Sequence, residues 1–470
     1  MTELTHLSLT EVAEAIAAKR VSSREVTEAC LARIEQKQPA LNMFISLEAD
    51  EALAAADAAD AALAKGAASG PLHGVPLAHK DMYYRAGKVS TCGSKIRQDF
   101  VPDHTATTIS RLSDAGALHL GGLNMSEFAV GPFGHNDHFG SCRNPWNPDH
   151  VTGGSSSGAG ASVGGRMVYG ALGSDTGGSV RLPAACCGLV GMKPTQTRVS
   201  RYGLMGLSFS LDSAGPLTRT VRDNARLLGL IAGADPMDHT ASAMPVDDYE
   251  AAACSPMAKG LRIAVPYSYY YDNAAPEIRD LMQASLKVFE GMGAEIVEVT
   301  VPDHHRIRAL CTTLRGPEGT VLHAAWLRDR PQDYGPQVRA RLEPGLAIGA
   351  AQYLAALHIR PQVTQAFVDA VFAKADVFHA PTIAMPVPSI AETDVKDSPA
   401  FPALIAGMTH CTQPLNYLGR PALAVPAGFT ANGLPASFQL VGRPFAEAAL
   451  YRAAAAYEAE TRFSENAPGE

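Results

Sequence analysis

Three observations predict one large α/β/α unit built on a mixed central sheet and preceded by short helices. From Gly70 onward, short apolar runs cut by Gly and Pro alternate with segments of helical period, the pattern of strands and helices in layers. LRIAVPY (261–267), the helical run 276–290 and AEIVEVTVP (294–302) together read as a βαβ unit. A chain of 470 residues, 46% hydrophobic and 18% charged, can bury such a core and fits neither a disordered nor a fibrous class.

Taken in order, Ser8 with Glu11 and Ser22 with Glu25 have capping-box spacing and open two amphipathic helices. LNMFISL (41–47) alternates as a strand, and the Ala-rich run 48–65 reads as a helix closed by Gly66. Residues 1–69 are taken as an N-terminal helical segment and 70–470 as the main unit, with a core at 70–235. PLHGVPLAHKD (71–81) is a strand that delivers Lys80 to a buried site, 107–115 is a helix, and ALHLGGLNM (117–125) is a strand and turn. FAVGPFGHNDHFGSCRNPWNP (128–148) has no period and is long enough to read as a functional loop. GLVGMKPT (188–195), a loop to Asp212, a helix from Thr220 and a turn-rich linker (235–256) follow. Beyond the βαβ unit come a variable helical region (304–375), the strand DVFHAPT (376–382), a turn-rich stretch to Gly428, the strand SFQLVG (437–442) and a helix from Ala446.

A net charge of −8 without a long Lys/Arg run disfavours nucleic acid as the main partner. The N-terminus lacks the basic start and apolar stretch of an export signal, and no run is long and apolar enough to span a membrane. Eight cysteines without a CxxC pair read as reduced thiols in a cytoplasmic protein. His135, His138 and Cys142 match no compact zinc spacing, so they are read as part of a loop lining the substrate entrance and not as a metal site.

The chemistry centres on TGGSSSGAGASVGGRMVYGALGSDTGGSVRLP (152–183). Its first cluster has the GxxxxG spacing of a phosphate loop, but Ala159 and Gly160 stand where Lys and Ser/Thr are required. The GxSxG reading centred on Ser156 needs a preceding buried strand, which NPWNPDHVTG cannot form. A serine activated by a lysine remains. Only about one lysine in 2,500 is neutral at pH 7, so the site must favour the uncharged amine by about 4 kcal/mol, which burial of Lys80 can supply. In GSDTGGSVR, the N–H groups of Thr176, Gly177, Gly178 and Ser179 can converge on one oxygen as an oxyanion hole.

PLAHKD around Lys80, GGSSSGAGA around Ser155, GSDTGGSVRLPA around Ser179 and GLVGMKPT after it give a chain that resembles the amidase signature family. The resemblance implies amide hydrolysis through an acyl-enzyme without metal or organic cofactor, with Ser179 as nucleophile, Lys80 as base and Ser155 between them on a cis Gly154–Ser155 peptide. Ser157 and Asp175 match supporting positions, and Arg181 anchors the loop. Pocket contacts are expected from Phe128, Pro132, Phe133 and His135, and the aromatic residues of the 128–146 loop lean toward an aryl or bulky apolar substrate. His304, His305, Arg306, Arg308, Arg315 and Arg328 are read as a solvated helix face rather than an attractor for an acidic substrate. The expected partners are a small amide and, at most, a second copy of the chain, with no nucleic acid and no membrane. The alternative within the resemblance is the A subunit of a tRNA-dependent amidotransferase that releases ammonia from glutamine; GPFGHN (131–136) departs from the serine-rich loop expected there.

Overall fold

Strands from the whole length of the chain join one mixed sheet in the computed structural model, which describes residues 2–68, 70–395 and 398–469. They are β1 (Phe44–Leu47), β2 (Pro76–Lys80), β3 (Leu118–Leu123), β4 (Gly170–Asp175), β5 (Val190–Lys193), β6 (Ser213–Thr218), β7 (Arg262–Val265), β8 (Glu295–Glu298), β9 (Val377–Pro381), β10 (Ala422–Phe429) and β11 (Pro435–Val441). Their order is β1-β3-β2-β4-β6-β5-β10-β11-β9-β7-β8. β2, β4, β5, β6, β9 and β11 are buried at every residue, so both faces of the sheet's centre are covered.

Both capping boxes form, opening helices Leu9–Ala17 and Ser23–Leu41. The front end is tied to the main unit rather than set apart from it. β1 pairs antiparallel with β3, and the buried Asp223 carboxylate accepts from Leu9 N (3.0 Å) and Thr10 N (2.8 Å). The boundary expected at 69/70 falls at residue 69, which lies outside the described residues. The turn-rich segment 235–256 does not separate two bodies: Glu250 within it pairs with Arg222 (2.9 Å) and Arg226 (2.7 Å), and the sheet continues on both sides. The βαβ unit is present, with β7 and β8 parallel around helix Pro276–Gly291.

β6 lies in the stretch left unassigned between the loop to Asp212 and the helix from Thr220, β10 lies largely in the stretch expected to be turn-rich, and proline hides both. β6 carries Pro216 opposite Leu172 of β4, while its pairing to β5 involves only Leu217 and Thr218. β10 absorbs Pro426 at a break in register between Pro426 and Gly428. Proline lacks the ladder donor, and tertiary pairing decides where that is tolerated.

The small residues of the first Gly-Ser cluster have a packing reason. Helix Ser157–Gly164 is buried throughout, and a Cβ on Gly158 would lie 2.4 Å from Met43 O and 2.6 Å from Asn124 N. That close approach requires glycine.

The same reasoning separates two substitutions by sign. In β6, a Cβ on Gly215 would meet Met192 O at 1.9 Å, so Gly215→Ala is expected to destabilise by at least about 2 kcal/mol. Gly229 lies exposed in helix Val221–Ile231 with nothing near its Cβ position, so Gly229→Ala is expected to stabilise by about 0.5–1 kcal/mol. Urea unfolding of both variants checks the contrast.

Candidate active site

β2 and β4 run parallel, with Ala78 opposite Ala171 and His79 opposite Leu172. Their C-terminal ends therefore carry Lys80 and the 175–179 turn to the same edge of the sheet, where α/β folds place their sites. Helix Ser157–Gly164 leads into β4 and brings Ser155 to that edge from the other side. Lys80 Nζ lies 2.7 Å from Ser155 Oγ and 2.8 Å from Ser174 Oγ, with all three residues buried. The Gly154–Ser155 peptide is cis. Gly154 N donates to Pro132 O (2.7 Å) and Ser126 N donates to Ser155 O (3.1 Å), so the 128–148 loop backs this turn.

Burial lowers the Lys80 pKa to about 7, against the upward pull of Asp212, Cys92 and Asp175. Among the described residues no carboxylate touches the amine. Asp81, its neighbour in sequence, instead accepts from Thr91 N (2.9 Å) and the Thr91 hydroxyl, and burial raises its pKa to about 6.

Asp175 organises the second cluster. Its carboxylate accepts from Gly178 N (2.8 Å), Arg181 Nε (3.0 Å) and Asn416 Nδ2 (2.7 Å). Burial would raise its pKa, but the Arg181 charge, that hydrogen bond, Lys193 and Asn416 bring it to about 2. Arg181 also donates to Gln439 Oε1 (2.8 Å), Asn416 Oδ1 (2.7 Å) and Thr412 O (3.2 Å). Thr176 Oγ1 donates to Asp212 Oδ1 at 2.5 Å.

One expected oxyanion donor is spent elsewhere. The Gly178 N–H is held by Asp175, because the turn closes on that carboxylate, whereas the N–H groups of Gly177 and Ser179 donate to no acceptor among the described residues. Ser179 and Gly177 are partly open and line a narrow cavity of about 20 Å³ with Thr176, Pro132, Arg315 and Arg341. Ser157 lies behind this site, its hydroxyl donating to Asn124 O (3.3 Å).

Of the four expected pocket contacts, only Pro132 lines the Ser179 cavity. Phe128 is buried in an aromatic cluster, 4.4 Å from the His323 ring and 5.5 Å from Trp326. Phe133 and His135 line a separate small cavity, with His135 Nε2 2.9 Å from Thr393 Oγ1. Their apolar character serves packing, which removes the basis for an aryl substrate. His138 contacts Glu127 Oε1 at 3.0 Å.

The helix-face reading of the basic region divides. His305, Arg306 and Arg328 are exposed, with Arg328 paired to Asp329 (2.8 Å), and His304 is buried. Arg308 and Arg315 instead face a vestibule of about 520 Å³ shared with Arg341, Phe401 and Gln413. Arg315, Arg341 and Gln413 line both this vestibule and the Ser179 cavity, so the two adjoin at these side chains. Burial lowers both guanidinium pKa values, and the charge of Arg315 adds to the effect on Arg341. Sequence reasoning missed Ser174, Arg341, Asn416 and Gln439. Ser174 sat within the second cluster beside Asp175, while Arg341, Asn416 and Gln439 carried no local signal.

The Amidase family profile matches residues 25–451. Over 490 aligned positions the chain is 40% identical to the A subunit of the glutamyl-tRNA(Gln) amidotransferase of Moorella thermoacetica, covering 99% of each. A chain from the vestigial protein complex that reveals the evolutionary origins of an s-triazine catabolic enzyme superposes with a TM-score of 0.90 at 34% identity, covering 97% of this chain and 99% of that one. The A subunit of the glutamyl-tRNA(Gln) amidotransferase of Thermotoga maritima superposes with a TM-score of 0.77 at 31% identity, covering 99% and 94%. These names correct the expectation on partners. Relatives matched over their full length are subunits of a tRNA-linked enzyme, which overturns a chain limited to a small amide and a second copy of itself. Among the described residues no helix is long and apolar enough to cross a membrane. With the profile match, the full-length identity and the shared fold together, the chain belongs to the amidase signature family and is an enzyme acting on amide bonds.

Proposed function

We propose that this chain cleaves a carboxamide through an acyl-enzyme on Ser179 and does so as the ammonia-releasing amidase component of a larger, tRNA-dependent amidotransferase. Relatives bearing that name match over 99% of both chains, which supports this reading, with glutamine as ammonia donor, over a generic amidase. Protein partners and, through them, a tRNA follow from it, as does a cytoplasmic location, with which eight free cysteines agree. The observation that carries the chemistry is a buried lysine, its pKa lowered to about 7, 2.7 Å from Ser155 Oγ.

At neutral pH about half of such a lysine is uncharged and offers a lone pair. Lys80 takes the Ser155 hydroxyl proton as Ser155 takes that of Ser179, and Ser179 Oγ attacks the substrate carbonyl carbon. The N–H groups of Gly177 and Ser179 receive the oxyanion, each such donor being worth about 3–4 kcal/mol of barrier. Collapse breaks the C–N bond, and the proton held by Lys80 returns through Ser155 to the departing nitrogen, which leaves as ammonia. Water then attacks the acyl ester by the same relay, freeing the acid and restoring the Ser179 hydroxyl.

One observation favours a second reading, a self-sufficient amidase: the loop that meets the Ser179 cavity presents Pro132 and the GPFGHN sequence instead of serines. Isolation of the native chain in a stable complex with other proteins is expected. Full amidase turnover by a chain that purifies alone would overturn the reading as a component of a complex.

Ser179→Ala is expected to abolish labelling by a fluorophosphonate probe, and Lys80→Met or Ser155→Ala to lower kcat by about 10³-fold or more. Full turnover by Ser179→Ala would remove the nucleophile assignment. Because the base must be neutral, kcat/KM is expected to rise about tenfold per pH unit below 7 and to level off above it, the limb following the lowered Lys80 pKa of about 7. A profile with its optimum near pH 5 would exclude Lys80 as the base.

A further inference from the structure

We propose that Gln413 is a further catalytic residue: its side-chain N–H donates to the substrate oxygen held by the Gly177 and Ser179 amides, and Arg308 fixes the side chain in that orientation. The inference deepens the acyl-enzyme reading of Ser179 and rests on it.

Gln413 opens helix Gln413–Tyr417 and is almost fully buried, at 5% exposed. Its Oε1 lies 3.2 Å from Arg308 Nε. Arginine carries donors and no acceptor, so the atom facing it must be the amide oxygen, and the amide nitrogen is turned the other way. That nitrogen faces Gly177. Among the described residues, a Cβ built on Gly177 would meet Gln413 alone, with Cγ at 3.3 Å and Nε2 at 3.7 Å. Nε2 donates to no acceptor among the described residues, and an amide N–H left so in a buried wall is costly. An oxygen of the substrate supplies the acceptor.

The neighbouring residue pins this wall. Thr412 Oγ1 donates to Gly177 O (2.7 Å), and Thr412 O accepts from Arg181 (3.2 Å), which ties the segment to the Asp175 turn. Thr412 thus holds the carbonyl of Gly177 while Gln413 covers its Cα. Ser179, Gly177 and Gln413 line one cavity of about 20 Å³, room for about one water-sized group. An oxygen seated there against the Gly177 and Ser179 amides therefore also lies against Gln413.

As Ser179 Oγ bonds to the carbonyl carbon, the π pair of the C=O bond moves onto that oxygen. A donor aimed at it strengthens as the charge develops, with no proton transferred, so its effect falls on the rate of the chemical step. A side chain that binds another part of the acyl group would instead alter binding alone.

The test follows inactivation of the full chain by a fluorophosphonate probe. Ser179 Oγ displaces fluoride from phosphorus, and the phosphoryl oxygen takes the place of the oxyanion. Gln413→Glu keeps the side-chain shape and the acceptor for Arg308 but puts a carboxylate oxygen where the N–H stood. It is expected to slow the maximal inactivation rate by about 10²-fold or more, with the half-saturating probe concentration within about threefold of the parent value. Gln413→Met is expected to lose a similar factor. Arg308→Met should lose less, because the donor remains and only its orientation is freed, and Arg308→Lys should recover most of that loss. Parent-like inactivation of Gln413→Glu or Gln413→Met, or a loss confined to the half-saturating concentration in variants that keep the parent unfolding midpoint, would overturn the assignment. Labelling that survives Ser179→Ala would overturn the acyl-enzyme reading and this inference with it, and that result shows without any change at Gln413.

Discussion

The Asp175 carboxylate, shut away from water, accepts the Gly178 amide, the Arg181 guanidinium and the Asn416 side chain at 2.7–3.0 Å. Those bonds bend the chain sharply between β4 and helix Arg181–Cys187. Gly178 gives its N–H to Asp175, whereas the amides of Gly177 and Ser179, two residues that line the cavity, have no acceptor among the described residues. A buried pair of this kind is costly to break and contributes little over an apolar substitute, so its value here is positional. Arg181 spreads the constraint by reaching Gln439 on β11 and Asn416 in helix Gln413–Tyr417, which ties the turn to the C-terminal third of the chain.

Three kinds of cationic side chain near one cavity meet burial in different ways. Lys80 can become neutral, so burial lowers its pKa to about 7 and produces a base. Arg181 cannot, and the fold surrounds it with acceptors. Arg315 and Arg341, which line the cavity, have no hydrogen-bond or ion-pair partner among the described residues. A buried cation thus takes its role from what lies within hydrogen-bond reach of it.

Much of the fold was legible from local pattern. The capping boxes, the βαβ unit, the strand ending at Lys80 and the long loop before the Gly-Ser clusters follow from hydrophobic period and turn chemistry, which act over a few residues. β6 and β10 were not legible, because Pro216 and Pro426 argue against a strand until partner strands are known. The pocket residues failed for a related reason. An aromatic side chain in a loop packs inward or lines a cleft according to what lies opposite, and for Phe128 that is His323 and Trp326, almost 200 residues away.

By itself the sequence determined the reaction class, through the family resemblance carried by the glycines and serines at 152–183 and the lysine at 80. Tertiary structure alone decided which amide nitrogens stay free, that Ser174 is the second contact of Lys80, and that Arg315 and Arg341 converge on the same cavity from two helices. The division follows from distance along the chain. Backbone preference and hydrophobic period are written within a turn or a strand, whereas the neighbours that set a charge's partner, and so its chemistry, are supplied by segments hundreds of residues apart.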